Sequence, residues 1–153
     1  MTEPKRALAG FTLIELMVTI AVIGILAGIG MSSYLHSIDQ AKITKAVADI
    51  AVLEKEIITF YLVNKRYPDS LAEIGRDTFP DPWGNPYSFL NIETAKGKGA
   101  MRKDHFLVPL NTDFDLYSLG KDGKSQPPLT AKSSHDDILR ANNGEYIGLA
   151  SGY

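Results

Sequence analysis

Glu15 is the residue whose position most strongly indicates a chemical role, because it is the only charged side chain between Phe11 and Met31. As a helix, these 21 residues span roughly 32 Å, about the thickness of the hydrocarbon core of a bilayer. A carboxylate at the centre of such a segment costs roughly 2.5–3.5 kcal/mol, and somewhat less near its end. We therefore predict a membrane-spanning helix in which a partner compensates the charge of Glu15.

Other residues with reactive side chains lack the arrangement that catalysis needs. Ser134, His135 and Asp136 are adjacent in sequence, whereas the members of a catalytic triad converge from separate segments. His36 and His105 have no partner at the spacing of a metal site, and no nucleotide-binding or metalloprotease motif is present. The chain has no cysteine, which excludes thiol nucleophiles, thiolate metal sites and disulfides. We expect no enzyme activity.

The size and charge of the chain limit its architecture and its partners. A length of 153 residues accommodates one domain and an anchor. The net charge of −2 is too small to indicate a nucleic-acid partner. One group of basic residues surrounds two glycines and is interpreted as a solvated turn. This group comprises Lys96, Lys98, Arg102 and Lys103.

The N-terminal region differs from an ordinary secretory signal. In a secretory signal the small residue of the cleavage site follows the apolar segment, but here Gly10 precedes it. Lys5 and Arg6 before the span predict a cytoplasmic N-terminus, so the residues after Met31 are expected on the far side of the membrane. The stretch GFTLIE, from Gly10 to Glu15, resembles the cleavage and methylation signal of type IV pilins and type II secretion pseudopilins.

This resemblance implies proteolytic processing followed by assembly. A prepilin peptidase would cut between Gly10 and Phe11 and would methylate the new amino group of Phe11. Helices packed side by side could then bring the positive amine of one subunit to the Glu15 carboxylate of another. Because burying either charge alone is costly, we expect Glu15 to favour a homopolymer and to fix the axial offset of its subunits. The alternative is an uncleaved single-span anchor.

The helix is expected to continue beyond the membrane. After His36, apolar residues recur at intervals of three and four, which is typical of an amphipathic helix. They are Ile43, Val47, Ile50, Leu53, Ile57 and Phe60 or Tyr61. No proline occurs at 11–63, so we predict one helix of about 50 residues with Asn64 as its C-terminal cap. Related pilins usually carry a proline near Gly28 and Gly30, and this difference leaves local melting of the helix in a filament open.

The second half of the chain has the pattern of a small antiparallel sheet. Segments rich in aromatic and aliphatic residues predict strands at 87–92, 114–119 and 145–150. Pro109 makes 105–110 an edge strand or a loop. The stretch DPWGNPY predicts a rigid turn whose Trp83 packs on the amphipathic helix. A one-turn helix with a capping box is predicted from Ser70 to Gly75.

These elements predict an α+β fold. A long N-terminal helix, with a transmembrane half and an amphipathic half, packs against a small C-terminal antiparallel sheet, which is the type IV pilin fold. The predicted parts are a leader at 1–10, a transmembrane and assembly helix at 11–36, and a globular domain at 37–153.

Two further motifs narrow the resemblance. DPWGNPY at 81–87 and DLYSLGKDG at 115–123 are similar to segments of the major pseudopilins of type II secretion, so the resemblance spans nearly the whole chain. It is weaker after Lys124, because the loop with two prolines and the residues beyond Ile138 are longer than is usual in that family.

In that family the loop after the second motif binds calcium. The resemblance therefore implies a calcium site formed by the Leu119 carbonyl and the carboxylates of Asp122, Asp136 and Asp137. Calcium takes six to eight oxygens from a flexible loop, and a long loop without cysteine needs another tie. The alternative is that these acids only cap turns. Asp113 and Asp115 alternate on a predicted strand and are expected to face solvent.

The function that these features favour is that of a filament subunit, namely a type II secretion pseudopilin that polymerises through its N-terminal helix to support protein secretion. The expected partners are further copies, a prepilin peptidase, an inner-membrane assembly platform, minor pseudopilins and the membrane itself. The globular domain is expected in the periplasm, and the filament there or at the cell surface. The alternatives are a type IV pilus subunit and a membrane-anchored periplasmic calcium-binding protein that does not polymerise.

Overall fold

The structure is a computed structural model that describes residues 10–153. The predicted leader therefore lies outside the described residues, apart from Gly10. The chain divides into two compact units, of which the first ends at Asp39 and the second covers 40–153. All strands and all buried core residues that the structure describes belong to the second unit.

The first element is helix α1, Leu13–Asn64, which confirms the prediction of one continuous helix. Gly28 and Gly30 lie within it, since glycine weakens a helix without breaking it. The helix ends at Asn64, whose Nδ2 donates a hydrogen bond to the carbonyl oxygen of Phe60 at 2.9 Å. The next residue, Lys65, has a left-handed backbone with φ of 56°, which stops the helix.

In the first unit, the apolar side chains of α1 are exposed. Every described residue from Gly10 to Ser37 is exposed, although most of them are hydrophobic. Within the described part of the chain, α1 is the helix that is long and apolar enough to cross a membrane. A helix that is apolar on all sides is stable only where lipid or other apolar surfaces surround it.

The second unit contains one antiparallel sheet with the strand order β1-β2-β3-β4. The strands are β1 (Ser88–Asn91), β2 (Phe114–Ser118), β3 (Ile138–Ala141) and β4 (Tyr146–Leu149). In the β1–β2 pair Ser88 lies opposite Tyr117, and in the β3–β4 pair Ile138 lies opposite Leu149. This layout confirms the α+β prediction, and β1, β2 and β4 lie within the predicted strands.

Strand β3 was not predicted, because its sequence, ILRA, does not alternate between apolar and polar residues. All its side chains are buried, including that of Arg140, which is 2% exposed. An interior strand that is covered on both faces loses the period-two pattern that identifies a half-exposed strand. The charge of Arg140 also argued against a buried strand, since a buried arginine needs partners that a local pattern does not contain.

The main hydrophobic core lies between the later part of α1 and the sheet. The helix contributes Ala46, Ile50, Leu53 and Ile57, all fully buried. The sheet contributes Phe114, Leu116 and Ile138. Ile43 and Val47 are partly buried against this core, so the predicted apolar stripe of α1 is confirmed. Burying one such aliphatic side chain stabilises the fold by about 1.5–3 kcal/mol.

The connections between these elements include short 3₁₀ turns, at Leu71–Ile74, Lys132–Ser134, Asn142–Gly144 and Ala150–Gly152. The first of them confirms the predicted one-turn helix, which ends at Gly75 with φ of 70°. The predicted capping box is wrong, because the side chain of Ser70 makes no capping hydrogen bond. Residues 105–110 form a loop rather than an edge strand. Trp83 packs against the main core, to which both α1 and the sheet contribute.

Candidate functional site

Glu15 lies in the first turn of α1, where it forms a capping box with Thr12. The backbone N–H and Oγ1 of Thr12 donate to Glu15 Oε2 at 2.8 and 2.7 Å, and the N–H of Glu15 donates to Thr12 Oγ1 at 3.3 Å. These reciprocal bonds satisfy backbone N–H groups that a helix start leaves unpaired. In a single subunit, the carboxylate therefore already has partners within its own chain.

The surface around Glu15 combines this carboxylate with apolar side chains. Ile14 and Val18 flank it on the helix, and Phe11, which lies just before the helix, is 87% exposed. Gly10 is exposed next to Phe11, so the predicted cleavage position lies in accessible chain. A neighbouring helix packed here would contact both the carboxylate and the apolar side chains.

The turn that begins at Asp81 is hydrogen-bonded to the end of β2. Asp81 Oδ1 accepts bonds from the N–H groups of Trp83 and Asn85 at 3.0 and 2.8 Å. Asp81 Oδ2 accepts a bond from Ser118 Oγ at 2.5 Å, and Asn85 Nδ2 donates to the carbonyl oxygen of Gly120 at 3.3 Å. The two motifs of the globular unit thus form one structure that positions the start of the following loop.

The β2–β3 loop, residues 119–137, carries the predicted calcium ligands. Asp136 Oδ2 accepts the N–H of Asp122 at 2.9 Å, and Asp122 Oδ1 accepts the N–H of Lys124 at 2.7 Å. Gly120 allows this close approach, because its φ is 65° and a Cβ there would lie 2.3 Å from the Asp136 carbonyl oxygen. Asp122 and Asp136 therefore each accept a backbone hydrogen bond within the turn. This agrees with the alternative in which these acids only cap turns.

The third predicted carboxylate, Asp137, is fully buried and forms an ion pair with Arg102. Arg102 Nη2 donates to Asp137 Oδ2 at 2.7 Å, and Ser125 Oγ donates to the same oxygen at 2.5 Å. Burial raises the pKa of the Asp137 carboxyl to about 6, although the hydrogen bonds from Ser125 and Arg102 oppose this shift. The ionised form of Asp137 therefore depends on its arginine partner.

Arg102 is 1% exposed, so the interpretation that it belongs to a solvated turn is wrong. Lys96 and Lys98 are exposed, as predicted. The guanidinium carbon of Arg102 lies 4.4 Å from the ring centroid of Tyr117, and its backbone N–H donates to Asp115 Oδ2 at 2.7 Å. These partners come from other parts of the chain, which is why the local cluster of basic residues gave the wrong expectation.

The oxygens near Asp122, Asp136 and Asp137 are not arranged like the ligands of a bound calcium ion. Calcium takes six to eight oxygens, yet Asp137 Oδ2 is engaged by Arg102 and by Ser125, so only Oδ1, a buried oxygen without a hydrogen-bond partner, is left to bind a ligand. Leu119 is half-buried at the end of β2. Among residues 10–153, no group of three or more His, Cys, Asp or Glu side chains is placed to hold a metal ion. Calcium stays a prediction, and this donor set does not favour it.

Asp115 is fully buried and Asp113 is half-buried, so the expectation that both face solvent is wrong. Asp115 Oδ1 accepts a hydrogen bond from Asn111 Nδ2 at 2.9 Å. Asp113 binds Arg140, whose Nη1 and Nη2 donate to its two oxygens at 2.8 and 2.7 Å. Arg140 Nε also donates to Glu54 Oε1 at 2.6 Å, which joins α1 to the sheet.

The adjacent Ser134, His135 and Asp136 do not form a catalytic arrangement. The Oγ of buried Ser134 donates to the carbonyl oxygen of Gln126 at 2.8 Å and accepts the N–H of Gln126 at 2.9 Å. His135 is exposed. Ser134 therefore fixes the conformation of the β2–β3 loop.

The N-terminal motif matches a family model, the prokaryotic N-terminal methylation motif, over residues 5–31. A type II secretion system core protein G from Escherichia coli (strain K12) is 34% identical, over 80% of this chain and 86% of its own. The chain belongs to the family of type II secretion system core protein G. Core proteins G from Pseudomonas aeruginosa and Dickeya chrysanthemi are 33% and 31% identical, over 78% and 92% of this chain and 88% and 90% of theirs. No solved structure matches the chain significantly.

Membership of the core protein G family confirms the resemblance that the sequence motifs indicated, and the family is structural rather than enzymatic. Sequence reasoning missed three residues of the site. The pattern Thr12-Leu13-Ile14-Glu15 is a capping-box signal that could have identified Thr12. Arg140 stands in an otherwise apolar stretch, which is a weak signal of a buried ion pair. Arg102 has no comparable local signal.

Proposed function

We propose that this core protein G family member is a structural subunit that polymerises through α1 into a pilin-like filament, which supports type II protein secretion. The observation that carries the proposal is the exposed apolar surface of α1, in which Glu15 is the only charged side chain between Phe11 and Met31. Such a surface is stable in lipid before assembly and against the helices of other subunits afterwards.

Processing is the first step of the proposed function. A prepilin peptidase cuts between Gly10 and Phe11 and methylates the amino group of Phe11. The match of residues 5–31 to the methylation motif supports this step, as does the exposure of Gly10 and Phe11. The cut removes Lys5 and Arg6, which hold the N-terminus in the cytoplasm, and leaves the apolar helix with a single new positive charge.

Assembly is the second step. The amine of Phe11 in one subunit meets the carboxylate of Glu15 in a neighbour, so that neither charge is buried alone. Before assembly, Thr12 provides the hydrogen bonds of this carboxylate. The proposed partners are further copies of the chain, an inner-membrane assembly platform and minor pseudopilins, with the globular unit in the periplasm.

Mass spectrometry of the mature chain tests the processing step. The expected first residue is an N-methylated Phe11. Gly10→Val should leave the leader attached, because the larger side chain next to the cut hinders the peptidase, whereas Gly10→Ala should be processed more completely. Recovery of chains that begin at Met1 from assembled filaments would contradict the proposal.

A further inference from the structure

The β2–β3 loop needs an internal tie, because residues 119–137 connect two neighbouring strands in a chain without disulfides. Closing a loop costs conformational entropy, and an ordered loop of this length requires contacts that hold it. One contact is apolar, since Leu129 is buried in a small cluster with Leu110 and Leu139. Several of the polar contacts are made by Arg102, which lies outside the loop.

The guanidinium of Arg102 holds the loop at three residues. Nη1 donates to Ser125 Oγ at 2.5 Å and to the carbonyl oxygen of Gln126 at 2.7 Å. Nη2 donates to Asp137 Oδ2 at 2.7 Å. The backbone of Lys103, which follows Arg102, forms two more hydrogen bonds with the loop, of 3.0 and 2.9 Å. The middle and the end of the loop are thus attached to one buried cation.

We propose that the Arg102 guanidinium takes the place of a bound metal ion in the β2–β3 loop, so that the folded protein needs no divalent cation there. Like a bound metal ion, the guanidinium neutralises a buried carboxylate. It also binds a hydroxyl and a carbonyl oxygen through the same positive group. Unlike a metal ion, it is part of the chain. This inference concerns the globular unit and does not depend on filament assembly.

Calcium at this position would compete with the guanidinium. An ion bound to Asp137 would lie close to the fixed charge of Arg102, and like charges repel strongly in poorly solvated surroundings. The ion would also need six to eight oxygens. Asp122 and Asp136 already accept backbone N–H groups of the loop. Removing the guanidinium, in contrast, would leave the Asp137 carboxylate, with Ser125 Oγ and the Gln126 carbonyl oxygen beside it, as oxygens that a divalent cation could bind.

Limited proteolysis of the full-length protein in detergent micelles tests this inference. Trypsin can cut the loop after Lys121, Lys124 and Lys132, and mass spectrometry identifies each cut. Wild-type protein should be cut at the same rate in calcium chloride and in a chelator. In the chelator, Arg102→Gln should be cut faster by about two orders of magnitude, because losing one partner of a buried ion pair opens the loop. Calcium should slow the cleavage of this variant.

Two further variants separate the charge from general packing. Arg102→Lys keeps a cation and should protect the loop better than Arg102→Gln. Arg140→Gln is the matched control, because Arg140 is also buried, pairs with acids and lies over an aromatic ring, that of Phe114. It should destabilise the sheet without making loop cleavage depend on calcium.

The wild-type comparison needs no variant, so it applies even if Arg102→Gln does not accumulate. A wild-type loop that calcium protects would overturn the inference. So would an Arg102→Gln loop that is cut at the wild-type rate in the chelator, or one that calcium fails to protect. A calcium response of Arg140→Gln equal to that of Arg102→Gln would overturn it too.

Discussion

Glu15 has to be compatible with two different surroundings. In the single subunit its carboxylate accepts hydrogen bonds from Thr12, which reduces the penalty of placing a charge in an apolar segment. In the proposed filament the same carboxylate neutralises the amine of a neighbouring Phe11. In this proposal, the capping box makes the membrane-inserted state tolerable, and the ion pair favours the assembled state.

Replacing Glu15 by valine should therefore affect assembly and not folding. The variant removes the only charge from the span, so it should insert into the membrane at least as well as the wild type. Filament yield should fall sharply, because each interface would bury an unpaired amine, and losing one partner of a buried pair costs about 3–5 kcal/mol. Sheared filaments and membrane-retained subunits from the same cells can be quantified by immunoblot.

Thr12→Val is the control for this prediction, because it keeps the carboxylate and removes the capping hydroxyl. Loss of a capping residue costs about 0.5–2 kcal/mol, so its effect on filament yield should be smaller. A normal filament yield from fully processed Glu15→Val would contradict the assembly role of the carboxylate.

Gly120 is a second residue at which local geometry leads to a prediction. Gly120→Ala should lower the melting temperature more than Gly75→Ala in the full-length protein. Both glycines have left-handed backbones, with φ of 65° and 70°, and alanine there costs roughly 1–2 kcal/mol. A Cβ at Gly75 meets open space, whereas one at Gly120 overlaps Asp136. Equal losses would show that the overlap relaxes without cost.

At the scale of the elements, the sequence predicted what local patterns encode. Helix α1 was predicted because its apolar residues keep one spacing and no proline interrupts it. Strand β3 and the ion pairs were not predicted, because they depend on contacts between residues that are distant in sequence. Arg102 and Asp137 are 35 positions apart, and Arg140 and Glu54 are 86 apart. No pattern within a short window relates such residues.

The buried face of α1 gives a prediction for the helix as an element. Ile57→Ala should reduce the free energy of unfolding by about 2–5 kcal/mol, because it leaves a cavity in the core. Ile57 is fully buried, whereas its neighbour Ile58 is 40% exposed. Ile58→Ala should therefore cost much less. Urea unfolding of the full-length variants, followed by circular dichroism, measures both changes, and equal losses would contradict the assigned face.

At the scale of the whole molecule, the two units have opposite relations to solvent. The first unit exposes apolar side chains and has no buried residue among those described, whereas the second buries its apolar residues around a sheet. A chain of this kind needs a membrane or other copies to cover its first unit. The proposed orientation, with the second unit in the periplasm, is open to a direct test.

The lack of cysteine makes this orientation measurable. Ser151 is exposed near the C-terminus, so Ser151→Cys introduces a single accessible thiol without disturbing the core. If the globular unit is periplasmic, a membrane-impermeant maleimide should label this thiol in cells whose outer membrane alone is permeabilised. Lysed cells give the reference for complete labelling. Labelling that appears only after lysis would place the unit in the cytoplasm.

A cation that belongs to the chain, as we propose for Arg102, changes the kinetics expected for closing the β2–β3 loop. A loop closed by a metal ion forms in a bimolecular step, whose rate depends on the free ion. The contact between Arg102 and Asp137, which lie 35 positions apart, instead forms in a unimolecular step, whose rate does not depend on a free metal ion. If the inference is right, a subunit that reaches the proposed periplasmic location should close this loop at a rate that does not depend on the concentration of free calcium.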